Sequence, residues 1–179
     1  MSTEERTRLG FLTAGGRLGF RHYLTVTVVG TYALMVLGSY TSAIGAGLSC
    51  PDWPQCYGVW FPFNNPEAMY GHPEFPGWAE AYTTWQIFVE WAHRGLAAIM
   101  GVVILAGAAY SWYVKKPRAV RWSLLIAVLL LPPQIVLGGL TVTERLDPVI
   151  VTSHLGTATV ILVALTVATV ATWIHENKT

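Results

Sequence analysis

Four long apolar runs alternate with polar segments along this chain of 179 residues. Each run is long enough to cross a lipid bilayer as a helix, for which about 20 apolar residues are needed. The pattern predicts an all-α membrane protein in which one domain, residues 1–179, forms a bundle of four transmembrane helices. The predicted helices cover about residues 23–44, 83–113, 122–143 and 149–174.

The first apolar run has an alternative interpretation, a signal peptide that is cleaved off. That run is longer than the apolar core of a typical signal peptide, and three further runs follow it. Both observations favour a helix that is retained in the mature protein.

Lys and Arg are distributed unevenly between the connecting segments. The first 21 residues and the 115–121 connection are basic, whereas the 45–82 loop contains neither Lys nor Arg. Because cytoplasmic segments of membrane proteins are enriched in these residues, both termini are predicted to be cytoplasmic and the 45–82 loop extracytoplasmic. Cys50 and Cys56 then face an oxidising compartment, where a disulfide is expected. A structural cross-link is the usual role of such a bond, and thiol–disulfide exchange is the alternative.

Composition agrees with a multi-pass protein of the cell membrane whose partner is the lipid bilayer. Hydrophobic residues make up 53% of the chain and charged residues only 12%. The net charge of +1 gives no indication of nucleic-acid binding.

Ionisable residues interrupt the second apolar run. Gln86, Glu90, His93, Ala97 and Gly101 fall on one helical stripe, since residues three and four apart share a face. Charged groups at membrane depth are expensive, so this stripe is expected to face the interior of the bundle.

The fourth run contains His154, which is followed two residues later by Gly, as His93 is. Each histidine-bearing run is preceded by a run that ends in Gly and Thr or Ser. This weak similarity predicts two helix pairs arranged as a parallel pseudo-repeat about an axis normal to the membrane. Such an axis would bring His93 and His154 to face each other.

Two facing imidazoles in a four-helix bundle suit the axial ligation of a heme iron. Small neighbours, among them Gly95 and Gly156, leave room for a flat macrocycle. The alternative is that each histidine only hydrogen-bonds a neighbouring helix. Zinc is a weaker option, because two histidines and one carboxylate do not supply its usual ligand set.

Glu90 and Arg94 stand one helical turn apart beside His93. Glu90 would either exchange protons at the site or form an ion pair, for example with Arg94. Arg94 would either reach a heme propionate or extend towards the membrane interface. The residues themselves leave these alternatives open.

Taken together, these motifs resemble the heme A synthase family, and the resemblance covers all four runs in order. Most members have eight transmembrane helices in two similar halves, and this chain resembles the short, four-helix archaeal-type form. The residues that carry the resemblance are Thr41-Ser42, Gly45-Ala46-Gly47, Cys50-Pro51-Asp52-Trp53-Pro54-Gln55-Cys56, Glu90 with His93-Arg94, Leu137-Gly138-Gly139-Leu140-Thr141-Val142, and His154-Leu155-Gly156.

The resemblance implies an oxidoreductase that oxidises a methyl substituent of heme O to the formyl group of heme A, for the biogenesis of terminal oxidases. It implies that His93 and His154 bind heme iron, either of a heme B cofactor or of the heme O substrate, and that Glu90 is the catalytic carboxylate. The pair Cys50 and Cys56 would be a candidate electron relay. A heme O synthase and an electron donor are the implied partners.

Two other function classes compete with this interpretation. A non-catalytic b-type cytochrome, an electron-transfer subunit with two axial histidines, needs the histidine pair but neither Glu90 nor the cysteine loop. A membrane thiol-oxidising protein explains the cysteines but not the buried histidines. If the reaction needs a substrate heme and a separate cofactor heme, as the resemblance implies, one histidine pair cannot ligate both, and a homo-oligomer, a dimer or larger, is expected.

Overall fold

The structure, a computed structural model, describes residues 19–177. Over this range the chain is helical, with no β-strand, and four of its helices are long and apolar enough to cross a membrane. The predicted all-α membrane fold with four spans is therefore confirmed. Most of the basic N-terminal segment lies outside the described residues. The α-helices are α1 (Phe20–Ala43), α2 (Pro66–Tyr70), α3 (Thr84–Tyr113), α4 (Arg118–Thr143) and α5 (Pro148–Glu176).

Some long helices extend beyond the apolar runs. Helix α1 begins at Phe20 rather than at residue 23, and α4 begins at Arg118 rather than at residue 122. The additional residues include Arg21, Arg118 and Arg121, whose long side chains reach water from a helix end. Hydropathy therefore marks the membrane-embedded part of a helix, not its end.

The four long helices form a closed ring in the order α1, α3, α4, α5. Within the described residues each packs against its two neighbours in this ring, and the diagonal pairs, α1 with α4 and α3 with α5, do not pack against each other. We call the end with residues 45–83 the loop end, and the end with residues 114–117 the basic end. The histidine-bearing helices α3 and α5 are thus diagonal partners.

Buried apolar side chains form two separate clusters, one towards each end of the bundle. The basic-end core is contributed by all four long helices and includes Leu24, Ile104 and Leu165. The loop-end core lies mostly in the 45–82 loop and reaches α3 at Ile87. Ile87 and Ile104 are separated by about 25 Å along α3 at 1.5 Å per residue. We call the region between the two cores the middle layer.

At the basic end, ion pairs connect three parts of the chain. Glu176 accepts a hydrogen bond from Lys116 Nζ at 3.0 Å, and Arg21 Nε lies 3.9 Å from the same carboxylate. The Arg21 guanidinium also stacks over the Trp173 ring at 4.5 Å. These contacts join the start of α1, the α3–α4 connection and the end of α5.

The loop is attached to α3 at the first turn of the helix. Thr83 and Gln86 cap this turn reciprocally, and Gln86 Nε2 donates to the Ile44 carbonyl at 2.8 Å. The buried Tyr57 hydroxyl donates to the Ser49 carbonyl at 2.8 Å. Burial raises the pKa of Tyr57 above its usual range, so the phenol keeps the proton that it donates. The loop is therefore a folded cap and not a free connection.

Candidate functional site

His93 lies in the middle layer, on α3, with its ring against α1. A Cβ atom placed on Gly38 would be 2.8 Å from Cε1 of His93, which is closer than side-chain packing allows. Only glycine at position 38 therefore permits this ring position. Nδ1 of His93 is buried and has no hydrogen-bond partner among the described residues.

His154 occupies a similar position on α5, with its ring against α4. A Cβ atom on Gly138 would be 3.2 Å from Cε1 of His154. Each histidine thus packs on a glycine of the preceding long helix, which supports the parallel pseudo-repeat, although the repeat stays a prediction. Gln134 Nε2 lies 3.4 Å from Nε2 of His154, and Nδ1 of His154 has no partner within residues 19–177.

His93 and His154 lie on helices that are diagonal partners in the ring. Buried imidazole nitrogens without a hydrogen-bond partner, here Nδ1 of both histidines, fit a heme held by these two residues. Between residues 19 and 177, no group of three His, Cys, Asp or Glu side chains lies close enough together to hold a metal ion by protein ligands alone. That result disfavours zinc at this position.

Glu90 is buried, and it pairs with Arg94 one turn further along α3. Arg94 Nε donates to Glu90 Oε1 at 2.7 Å, with 8% of the Glu90 side chain and 14% of the Arg94 side chain exposed. The ion pair that the sequence left open is therefore present. It holds the carboxyl group in place beside His93 and leaves its catalytic role a prediction.

Arg94 also anchors the disulfide loop through three backbone carbonyls. Nη1 donates to the carbonyls of Asp52 at 2.6 Å and Gln55 at 2.7 Å, and Nη2 donates to that of Cys50 at 3.1 Å. A guanidinium has five N–H donors, so together with the bond to Glu90 four of them are used. One donor on Nη2 is left for a propionate, and that contact stays a prediction.

The predicted disulfide between Cys50 and Cys56 is present. The two residues are only 0% and 1% exposed, and they form part of the loop-end core. Thiol–disulfide exchange needs direct attack on sulfur, so a partner can reach this bond only after the loop opens. This burial favours the structural role, and the electron relay stays a prediction.

Trp53 lies between the two cysteines, and its contact with α4 could not be predicted from the residue types. A Cβ atom on Gly139 would be 3.2 Å from the Trp53 ring, so the indole lies flush against the backbone of α4. The ring is nevertheless 43% exposed. Two different rings thus pack on adjacent glycines of α4, His154 on Gly138 and Trp53 on Gly139. The Gly-Gly pair was the available signal, but it indicated only close helix packing.

Residues 21–179 match the family of cytochrome oxidase assembly proteins, COX15-CtaA. The chain is similar to the heme A synthase of Shewanella oneidensis, with 37% identity over 136 residues, 74% of this chain and 39% of that protein. It is 26% identical over 153 residues to the heme A synthase of Bacillus pumilus, 79% of this chain and 44% of that protein.

A third similarity is to the protoheme IX farnesyltransferase of Halobacterium salinarum, with 32% identity over 118 residues. This match covers 66% of the chain but only 22% of that protein. The chain thus spans less than half the length of each of these relatives. No solved structure matches it.

Proposed function

Because the chain belongs to the heme A synthase family of cytochrome oxidase assembly proteins, we propose that it oxidises a methyl substituent of heme O to the formyl group of heme A. The observation that carries this proposal is the combination, in one membrane bundle, of a buried carboxylate and two histidines whose buried Nδ1 atoms have no partner among the described residues. Heme A production for terminal oxidases follows as the physiological role.

His93 and His154 would hold the heme iron as axial ligands. The glycines behind them, Gly38 and Gly138, fix where the two rings stand. The heme group supplies the redox chemistry at its iron when bound. The two histidines would hold either a heme B cofactor or the heme O substrate.

Glu90 would be the catalytic carboxylate. It lies one turn from His93 on α3, and Arg94 fixes its orientation. Oxidation of a methyl carbon releases protons, which a positioned carboxylate can accept.

The membrane orientation follows from the distribution of cationic residues. Lys and Arg at the basic end support a cytoplasmic position for that end and an extracytoplasmic position for the disulfide loop.

The proposed substrate, heme O, implies a partner that supplies it. The match to a protein named for farnesyl transfer to protoheme IX supports a heme O synthase as the source of substrate. An electron donor is the second proposed partner. The conversion of a methyl to a formyl group also needs an oxidant that takes up four electrons, either dioxygen together with the donor or, with water as the oxygen source, a separate electron acceptor.

The second candidate, a b-type cytochrome with two axial histidines, is favoured by the histidine pair alone. It gives no reason for a carboxylate with 8% exposure beside the ligand, since an electron carrier transfers no protons to its porphyrin. Pigment content separates the two functions, because a cytochrome would contain only heme B.

The test is production of the chain in a host that makes heme O but has no heme A synthase. Hemes are extracted from the membranes and from the purified protein and are separated by chromatography. We expect heme A in cells with the wild-type chain and none in cells with the empty vector. Heme B alone, in a protein that binds heme stoichiometrically, would overturn the proposal in favour of the cytochrome.

A further inference from the structure

We propose that Trp53 covers the loop-end side of the histidine pair and contacts the bound tetrapyrrole, so that it positions the ring and excludes water. This inference rests on the proposed function, because it requires a heme between His93 and His154. It assigns a binding role to a residue that stands between the two cysteines and shares no helix with either histidine.

Trp53 is held at two points, and each point adjoins one histidine. On one side, the carbonyl of the preceding residue, Asp52, accepts a hydrogen bond from Arg94, the neighbour of His93 on α3. On the other side, the indole lies against Gly139, the neighbour on α4 of the glycine that supports His154. Asp52, through its carbonyl, and Trp53, through its ring, therefore connect the two helices at the turns that define the site.

The loop around Trp53 has little freedom to move. Its cysteines are cross-linked and buried, and Asp52 Oδ1 and Oδ2 accept hydrogen bonds from the backbone amides of Tyr57 at 2.6 Å and Gly58 at 2.9 Å. In contrast to this fixed backbone, the Trp53 ring is 43% exposed. A large aromatic ring that is fixed on one face and free on the other is suited to contact a flat, apolar ligand.

The role of the disulfide follows from the same geometry. The cross-link closes the short loop that presents Trp53, and Arg94 binds the carbonyls of three residues within that loop. The cysteine pair would thus act on the heme site by holding Trp53 in place, without any exchange of electrons.

The test measures the loss of heme B from the reconstituted full chain to excess apomyoglobin. Trp53→Ala should release heme about fivefold to tenfold faster than the wild type, and Trp53→Phe, which keeps an aromatic ring, should stay closer to it. Gly139→Ala should act in the same direction, because its methyl group displaces the indole. The matched control is Trp60→Ala, since Trp60 lies in the same loop and is 70% exposed.

Each outcome either supports the proposed role of Trp53 or overturns it. Equal rates for the wild type and Trp53→Ala would overturn the role of Trp53, even if the wild type binds heme and makes heme A. A wild type that binds no heme would refute the proposed function itself, and this inference with it. If Trp53→Ala fails to fold, the comparison of Gly139→Ala with Trp60→Ala decides, because both leave Trp53 in the chain.

Discussion

His93 lies so close to Gly38 that a methyl group on Gly38 would stand 2.8 Å from the imidazole Cε1. The histidine ring can keep its position only while residue 38 has no side chain. The position of one axial ligand on α3 is thus set by the backbone of α1.

This contact predicts that Gly38→Ala displaces the His93 ring. Overpacking of this kind costs about 1–3 kcal/mol, and we expect the variant to lose most of the low-spin spectrum of a heme with two histidine ligands. The measurement is the reduced-minus-oxidised optical spectrum of the heme-loaded protein. Gly30→Ala is the control on the same helix, because its new methyl group meets the flexible tip of Met100. An unchanged spectrum in Gly38→Ala would show that the ring has room to move.

Replacement of either proposed ligand should remove axial ligation outright. We expect His93→Ala and His154→Ala each to lose the low-spin spectrum, because each removes one of two iron ligands. His175→Ala, at the exposed basic end of α5, should keep the spectrum of the wild type. A low-spin spectrum that survives in either site variant would refute the axial assignment.

Glu90→Gln separates catalysis from folding better than Glu90→Ala does. Both variants remove the negative charge of Glu90, but glutamine keeps a hydrogen-bond acceptor for Arg94 Nε, whereas alanine leaves that donor without its partner at a cost of about 1–3 kcal/mol. We expect Glu90→Gln to retain bound heme but to form heme A about a hundredfold more slowly, because general-base catalysis is lost. The assay is extraction of heme A over time, with Glu144→Gln as the surface control. Normal production by Glu90→Gln would limit Glu90 to an ion-pair role.

The hydrogen bonds between Arg94 and the loop should slow the reduction of the disulfide. In Arg94→Lys, the lysine cannot make the same set of hydrogen bonds as the guanidinium. A lost hydrogen bond to a charged group costs about 1.5–3 kcal/mol, and each 1.4 kcal/mol raises the population of the open loop about tenfold. We therefore expect faster reduction of Cys50–Cys56 by a mild thiol, measured by alkylation and mass spectrometry over time. Arg118→Lys, on an exposed residue at the basic end, should leave the rate unchanged. Equal rates for both variants would show that Arg94 does not restrain the loop.

Association of copies is the remaining prediction. A reaction that uses a substrate heme and a separate electron-transferring heme needs two histidine pairs, and two copies of this chain would supply them in a symmetric assembly. We expect a dimer or a larger oligomer in the mass spectrum of the complex released from detergent. A monomer that converts heme O to heme A would exclude this requirement.

The fold class predicted from the sequence is confirmed, and the candidate site residues stay a prediction. The contacts that hold those residues in place could not be predicted. Long apolar runs report directly on burial in a membrane, so the four spans were readily predicted. The hydrogen bonds from Arg94 end on carbonyl oxygens of residues some forty positions away, and every residue has such a carbonyl. Nothing in the residue types could therefore indicate these partners.

The contacts of Gly38 and Gly138 were missed for a related reason. A glycine spacing shows that something can approach closely, but not whether it is another helix or a side chain. The structure assigns a histidine to each of these two glycines. Which histidine packs on which glycine depends on the order of the four helices around the bundle, and the apolar pattern does not determine that order.

The basic-end core has a consequence for how a cell makes this protein. All four long helices contribute to that core, and the proposed heme ligands, His93 and His154, are not among its residues in the described part of the chain. The helices at this end therefore pack on one another without using either histidine. We expect the four helices to assemble whether or not a tetrapyrrole is bound.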